Sequence, residues 1–155
     1  MKIGIIGIGV VGGAVKFGFE ALGHTVKFHD TKYNTSLKDV LDTEICYICV
    51  PTPIGNNGKC NISIVEEVIE ELYHNNYEGI IAIKSTVVPG TTKNIKEKYK
   101  NSNICFVPEF LRERCAIPDF CENHDLLVIG TDNKTIFEFI KKISWKVSKK
   151  NYSSF

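Results

Sequence analysis

Three glycines and an acid near the start of the chain have the types and spacing of a nucleotide-binding turn. Gly7, Gly9 and Gly12 form a Gly-x-Gly-x-x-Gly run directly after the apolar segment Lys2–Ile6, and Asp30 follows a second apolar segment. In such a turn the first glycine lets the chain leave the strand, the second leaves room for a diphosphate, and the third lets the helix pack closely. The free amides at the start of that helix attract phosphate.

The whole run is expected to hold a dinucleotide, through Gly7, Ile8, Gly9, Val10, Val11 and Gly12. A carboxylate at the end of the second strand accepts hydrogen bonds from both ribose hydroxyls and repels a 2′-phosphate. Asp30 therefore predicts NAD rather than NADP as the cofactor. The alternatives are a purely structural glycine turn and, for Asp30, a solvated acid at the end of a strand.

Two acids later in the chain could also do chemistry. Glu109 and Glu113 are four residues apart, so they would share a face if this segment were helical. Two carboxylates beside a nicotinamide could serve as a general base and as an anchor for substrate or water. The alternative is a solvated acidic turn paired with Arg112 or Arg114.

The elements that must position these residues alternate between strand and helix. The patterns predict strands over residues 2–6, 24–28, 45–50, 79–83, 104–107 and 126–129. They predict helices after Gly12, briefly at 36–41, from a capping box at Ser63–Glu66, at 91–100 and at 133–143. This order predicts the α/β class: a Rossmann-type, doubly wound parallel sheet in a single domain, residues 1–143, with a polar tail over 144–155.

Residues just after the strands should meet at one edge of such a sheet. Ser85 and Thr86 follow one strand and carry hydroxyls to that edge. The alternative is that Ser85 and Thr86 cap a helix or form a turn before Pro89-Gly90. On spacing alone this alternative is preferred.

Composition excludes several classes of function. The net charge of +1 over 155 residues gives no reason to expect nucleic acid or an anionic membrane as partner. The chain has no apolar run long enough to span a membrane, and the expected location is the cytoplasm. Cys46 and Cys49 form a C-x-x-C pair inside a predicted strand, so their thiols should face opposite sides, and no metal site is predicted among the six cysteines.

Four segments together resemble the N-terminal domain of the UDP-glucose/GDP-mannose dehydrogenase family. They are the glycine run, Cys49–Pro53, Lys84–Gly90 and Pro108–Glu113, and the last is the most specific. The resemblance covers Met1 to about Ile143. It implies NAD-dependent oxidation of the primary alcohol of a nucleotide sugar, such as UDP-glucose, to a carboxylate through a thioester on cysteine.

The resemblance also implies roles for the strand ends. Val50, Pro51, Thr52, Ser85 and Thr86 would line the nicotinamide ribose, and Thr86 and Glu109 would order or activate the hydrolytic water. The segment Glu109, Phe110, Leu111, Arg112, Glu113 would bind the sugar nucleotide, largely through backbone, with Glu113 also near the nicotinamide.

The chain departs from the family pattern at four places. The family's nucleophilic cysteine lies in a later Gly-Gly-x-Cys segment that this chain lacks, and the link from Asp30 to Ile45 is short. Cys60-Asn61 stands where the family commonly has an acid, and Arg114-Cys115 replaces a small residue. A second chain or a homo-oligomer could therefore complete the site. The rival interpretations are a non-catalytic NAD or nucleotide-sugar module and a β-hydroxyacid dehydrogenase.

Overall fold

A five-stranded parallel sheet forms the centre of the computed structural model, which describes residues 1–56, 58–123 and 126–149. The described strands are β1 (Lys2–Ile6), β2 (Thr25–His29), β3 (Ile45–Ile48), β4 (Ile80–Ile83) and β5 (Ile104–Phe106). Their order is β2-β1-β3-β4-β5, and every neighbouring pair is parallel. The predicted α/β Rossmann class is confirmed.

Helices cover both faces of this sheet. The described ones are α1 (Val10–Ala21), α2 (Ser63–His74), α3 (Thr91–Tyr99), α4 (Ala116–Cys121) and α5 (Lys134–Lys149), with 3-10 turns at Leu37–Val40 and Glu113–Cys115. One buried cluster lies between the sheet and α1, α4 and α5, and a second lies between the sheet and α2, α3 and the first 3-10 turn. Side chains alternate between the two clusters along the inner strands β1, β3 and β4, as Ile5 and Ile6 do on β1.

The strand order reverses between β1 and β3. From β1 the chain crosses to β2 on one side, and it then returns to β3 on the other side of β1. In open parallel sheets the ligand crevice lies at the carboxyl ends of the strands at such a reversal. Gly7 follows β1 and Cys49 follows β3, so the glycine run opens at this point.

Cys46 on β3 and Cys49 just after it face opposite sides of the sheet, as expected. Cys46 is buried in the cluster beneath α2 and α3, whereas Cys49 packs against the cluster on the other face. The two thiols therefore lie on opposite sides of the sheet. Over the residues the structure describes, no group of three His, Cys, Asp or Glu side chains could hold a metal ion.

The prediction of a sixth strand is wrong. Residues 126–129 are irregular, and only Gly130 forms an isolated antiparallel bridge with Phe106. The two residues exchange backbone hydrogen bonds of 3.0 and 2.7 Å. The apolar run is short, and the chain passes β5 in the opposite direction, so it contributes one bridge rather than a parallel strand.

Three helix predictions also need correction. The capping box at Ser63–Glu66 is absent, because α2 already begins at Ser63 and the Asn61 side chain accepts from the Ser63 N–H at 3.0 Å. Helix α4 falls in a segment predicted to be irregular, and α5 runs to Lys149 rather than ending near 143. Tail residues 150–155 lie outside the described part of the chain.

Candidate functional site

The glycine run folds as a turn packed between three strands and a helix. Gly7 has a φ of +90°, and its N–H donates to the His29 carbonyl at 2.8 Å. A Cβ on Gly7 would lie 2.7 Å from the Cys49 carbonyl oxygen, and one on Gly12 would overlap the Gly7 carbonyl oxygen itself. These two positions leave no space for a side chain, because backbone occupies it.

Gly9 differs from both of its partners in the run. It is the N-cap of α1 in an extended conformation, and no side chain caps the helix. A Cβ at this position would meet nothing within 4 Å. The amides of the first turn, from Val10 onward, therefore keep donors that no helical carbonyl uses, next to open space. An open, uncapped helix start of this kind is suited to a phosphate.

Asp30 is held against this turn by two backbone N–H groups. Its Oδ2 accepts from Ile8 at 2.6 Å and its Oδ1 accepts from Lys32 at 2.8 Å. The hydrogen bond from the Lys32 N–H is the main cause that lowers the pKa of the Asp30 carboxyl. Burial acts in the opposite direction, and the hydrogen bond from the Ile8 N–H is the next contribution that lowers the pKa. Each oxygen retains a lone pair that could accept from a ribose hydroxyl.

A cavity of about 420 Å³ joins the glycine turn and Asp30 to helix α2. Its walls include Gly7, Gly9, Asp30, Val50 and Pro51. The far wall was missed by sequence reasoning; it consists of Thr31, Lys32, Leu37, Ile64, Glu67, Val68 and Glu71. The members on α2 recur at helical spacing, so their common face could have been recognised, but nothing in the sequence says which element that face meets.

Ser85 and Thr86 follow β4, and their surroundings differ. The Ser85 hydroxyl is buried and donates to the Val50 carbonyl at 2.7 Å and to the Ile48 carbonyl at 3.3 Å. It thus ties the end of β4 to the end of β3, and it does not cap α3, whose N-cap is Gly90. Thr86 is exposed, and its carbonyl lies 3.5 Å from the Cys60 thiol.

Glu109 and Glu113 do not share a helical face. Glu109 lies in irregular backbone, where its Oε2 accepts from the Leu111 N–H at 2.6 Å, and Glu113 begins a 3-10 turn. The alternative interpretation, in which one of these acids pairs with Arg112, is not seen either, because Arg112 pairs with Asp119. Glu109 is half-buried and Glu113 is exposed.

The Arg112–Asp119 pair is the main anchor of this segment, and sequence reasoning missed it. Asp119 Oδ2 accepts from the Arg112 backbone N–H at 3.0 Å and from its Nε at 2.9 Å, while Oδ1 accepts from Nη2 at 2.7 Å. Asp119 is 6% exposed. The guanidinium holds the pKa of the Asp119 carboxyl well below its usual range. The pair closes the chain between Pro108 and α4 into a fixed loop.

Asp119→Asn is expected to lower the Tm and to remove part of the acid sensitivity of the fold. A depressed pKa in the folded state contributes stability above the ordinary value of 3.8, and this stability is lost as pH falls through the folded value. Thermal melts between pH 7 and pH 2 should therefore show a flatter acid limb for the variant. Asp132→Asn is the comparison variant: Lys96 also lowers the pKa of Asp132, but this acid is exposed to solvent, so its removal should change the acid limb less than Asp119→Asn does. Equal acid limbs for Asp119→Asn and the unmodified chain would contradict this role of the pair.

Comparison with known proteins identifies the family of this chain. The family model described as the NAD-binding domain of the UDP-glucose/GDP-mannose dehydrogenase family matches residues 30–147. The chain belongs to this family. Its match is to the cofactor-binding part, so the chain is an NAD-binding domain of a nucleotide-sugar dehydrogenase type.

Individual members of the family are similar to this chain over most of its length. The UDP-glucose 6-dehydrogenase of Rickettsia bellii is 38% identical over 133 residues, which cover 83% of this chain and 30% of that protein. The GDP-mannose 6-dehydrogenase of Pseudomonas aeruginosa is 30% identical over 120 residues, covering 68% and 27%. The chain thus spans less than a third of the length of these relatives.

Solved structures of the family share the fold. A ternary complex of GDP-mannose dehydrogenase from Pseudomonas aeruginosa superposes with a TM-score of 0.82 at 25% identity, covering 94% of this chain and 44% of that one. A UDP-glucose dehydrogenase from Pyrobaculum islandicum superposes with a TM-score of 0.84 at 22% identity, covering 95% and 44%. Among the described residues, no helix is long and apolar enough to cross a membrane.

The residues at the end of β1 and β2 fit NAD, the cofactor of this family. The open position above Gly9, the uncapped start of α1 and the fixed carboxylate of Asp30 lie at one crevice, where a diphosphate and a ribose need amide donors and a carboxylate acceptor. The cavity that extends toward α2 has apolar walls at Leu37 and Val68, which suit a flat base.

Proposed function

We propose that this chain is the cofactor half of a nucleotide-sugar dehydrogenase and that it holds NAD through the glycine run and Asp30. The observation that carries the proposal is the contact between Asp30 and the turn: the carboxylate is fixed 2.6 Å from the Ile8 N–H, beside the free start of α1. The diphosphate would lie against the amides of Val10 to Gly12, and the ribose against Asp30. When bound, NAD supplies the hydride acceptor of the reaction.

The proposed roles of the other strand ends follow their positions. Val50 and Pro51 form part of the cavity wall beside Gly7, and they would line the cofactor beyond its diphosphate. Thr52, Ser85 and Thr86 would line the nicotinamide ribose, with the buried Ser85 hydroxyl acting through the strand ends that it joins. Thr86 would help to order the water for hydrolysis.

The segment 109–113 would contact the sugar nucleotide, largely through its backbone. Its turn is set by the Glu109 side chain and by the Arg112–Asp119 pair, so its N–H and C=O groups are presented in a fixed arrangement. Glu109 would serve as base toward the hydrolytic water and Glu113 would lie near the nicotinamide.

The substrate proposed is the primary alcohol of a nucleotide sugar, and the nucleophilic cysteine would come from another polypeptide or from a further part of the protein. Among the cysteines of this chain, burial raises the pKa of the Cys49 thiol to about 12. Cys60 donates its S–H to the Thr86 carbonyl rather than to a base. Neither thiol has the setting of an activated nucleophile.

A second candidate function is a module that binds NAD without turnover. The settings of Cys49 and Cys60, neither of which is activated as a nucleophile, favour it. The two candidates are separated by following NADH absorbance in two samples, one with this chain, NAD and UDP-glucose or GDP-mannose, and one to which a chain carrying the missing cysteine is added. NAD binding without NADH formation is expected of the isolated chain in either case. If the chain is half of a dehydrogenase, NADH should form once a chain carrying the missing cysteine is added. If it is a module that only binds NAD, no NADH should form in that sample either.

Isothermal titration with NAD and NADP tests the cofactor assignment itself. The 2′-phosphate of NADP would lie against the ionised Asp30, and like charges in contact cost several kcal/mol. We expect NAD to bind roughly 100-fold more tightly than NADP. Equal affinities, or tighter binding of NADP, would contradict the assignment of Asp30 to the ribose.

Gly9→Ala is expected to separate cofactor binding from folding. Its added methyl group meets nothing within 4 Å in the unliganded chain, so the Tm should change little. The same methyl would occupy the space proposed for the diphosphate and should weaken NAD roughly tenfold or more, about 1.4 kcal/mol. Titration and thermal melts of the same sample make the comparison. Unchanged affinity would mean that the diphosphate lies elsewhere.

A further inference from the structure

A second cavity, of about 280 Å³, lies on the other side of the sheet from the one beside Asp30. It is enclosed between α1, α4, α5 and the irregular segment after β5, and its walls are mainly aromatic and aliphatic, such as Phe19, Phe120 and Leu127. Its size is close to the lower end of ligand-binding pockets. It shares no lining residue with the cavity proposed for NAD.

A buried ammonium group belongs to this cavity. Lys84 is 6% exposed and lines the wall at the end of β4. Its Nζ donates to the Val107 carbonyl at 3.3 Å, and the Phe120 ring lies 5.8 Å away. Within the described residues no carboxylate lies within ion-pair distance of Nζ. Burial lowers the pKa of Lys84, which is the response of a cation without a direct counter-ion.

A second polar group is buried in the same wall. Tyr47 is 2% exposed, and its hydroxyl has no hydrogen-bond partner of normal geometry in the described part of the chain. The Ser144 side chain also lines the cavity, and as a hydrogen-bonding neighbour it lowers the pKa of the Tyr47 hydroxyl against the larger, opposite effect of burial. The hydroxyl can also donate to an acceptor in the cavity, because a buried hydroxyl is costly to leave without a hydrogen bond of good geometry.

These observations define the chemistry of an occupant. The walls favour an apolar body, and the buried Lys84 ammonium favours an acceptor with a full negative charge, to which the Tyr47 hydroxyl can also donate. Glu109 also lines the cavity and interacts favourably with Lys84, but its Oε2 is turned to the Leu111 N–H. We propose that this cavity binds a small carboxylic acid with an apolar body, whose carboxylate accepts hydrogen bonds from Lys84 and Tyr47.

Titration of this chain with three probes of one shape tests the proposal. Phenylacetate, phenylacetamide and phenethylamine share a ring and differ in charge at the other end. Phenylacetate should bind roughly tenfold or more tightly than the neutral amide, and the amine should bind most weakly. Equal binding of the three, or binding of none at millimolar concentration, would overturn the proposal without any variant.

Two variants assign the effect to the buried donors. Lys84→Met keeps the length and apolar stem of the side chain, and it should abolish the preference for the carboxylate over the amide. Tyr47→Phe should weaken phenylacetate several-fold and remain folded, so it keeps the test open if Lys84→Met does not fold. Lys96→Met is the control, since Lys96 pairs with Asp132 outside the cavity, and it should leave the preference intact.

The site is separate from the proposed NAD cavity, although residues 109–112, which are proposed above to contact the sugar nucleotide, form part of its wall. Asp30→Ala should leave phenylacetate binding unchanged, because Asp30 lines only the first cavity. Loss of phenylacetate binding in Asp30→Ala, or a preference that survives both Lys84→Met and Tyr47→Phe, would show that the carboxylate binds elsewhere.

Discussion

Gly12→Ala should destabilise the fold by about 3 kcal/mol or more, because overpacking against backbone cannot be relieved by a rotamer change. The added Cβ would overlap the Gly7 carbonyl oxygen, and it would also lie 3.4 Å from the Cys49 side chain. Helix α1 would have to move away from β1, and the amides proposed to hold the diphosphate would move with it. Chemical denaturation of the variant measures the loss.

Gly13→Ala is the matched control for this variant. It adds the same methyl group at the next position of α1, where the Cβ would meet nothing within 4 Å. Alanine is the better helix former, so stability should rise slightly or stay unchanged. If Gly12→Ala were as stable as Gly13→Ala, the close contact between α1 and the turn after β1 would be wrong.

Asp30→Ala should weaken NAD binding by about 1–3 kcal/mol, which is roughly 5-fold to 150-fold in Kd. The variant removes the charged acceptor of the two hydrogen bonds proposed from the ribose hydroxyls. It also releases the N–H groups of Ile8 and Lys32, so the turn itself loses a support. Isothermal titration with NAD and with NADP measures both affinities, and the preference for NAD should shrink in the variant.

Asp42→Ala is the control for Asp30→Ala. Asp42 is an exposed acid paired with Lys2 and Lys27, and it lines neither cavity. Its removal changes the net charge equally and should leave the Kd for NAD unchanged. An equal effect of the two variants would assign the loss to overall charge and not to a ribose contact.

The sequence alone is sufficient to predict the sheet and the crevice. Local patterns give all five strands because each is a short apolar run bounded by turn residues, and the glycine run marks the start of α1. The alternation of strands and helices along the chain permits only a few strand orders, and the observed order is one of them. Asp30 could be placed near the turn because it directly follows β2, which pairs with β1.

The failures share a cause, which is that tertiary partners decide them. Residues 126–129 have the composition of a strand but form only the single bridge at Gly130. Ser63 has the spacing of a cap, yet the Asn61 side chain takes that place. Asp119 looks like one acid among several until the fold brings Arg112 onto it. No local pattern contains these pairings, since they depend on where the two segments meet.

The candidate site also has residues that local patterns predict and residues that only the packed structure reveals. Gly7 and Gly12 could be explained from the motif, whereas the wall of α2 with Glu67 and Glu71, and the buried charge of Lys84, required the packed structure. A helical face can be read from spacing, but the cavity that it faces cannot.

The central claim is that the diphosphate of NAD lies against the start of α1 while Asp30 holds the ribose. The most direct measurement is a titration of ¹⁵N-labelled chain with NAD, followed by amide chemical shifts. The largest shifts should fall on Gly9, Val10, Val11 and Gly12, with smaller ones at Ile8 and Lys32, whose N–H groups donate to Asp30. Shifts concentrated at another surface, or none at saturating NAD, would contradict the claim.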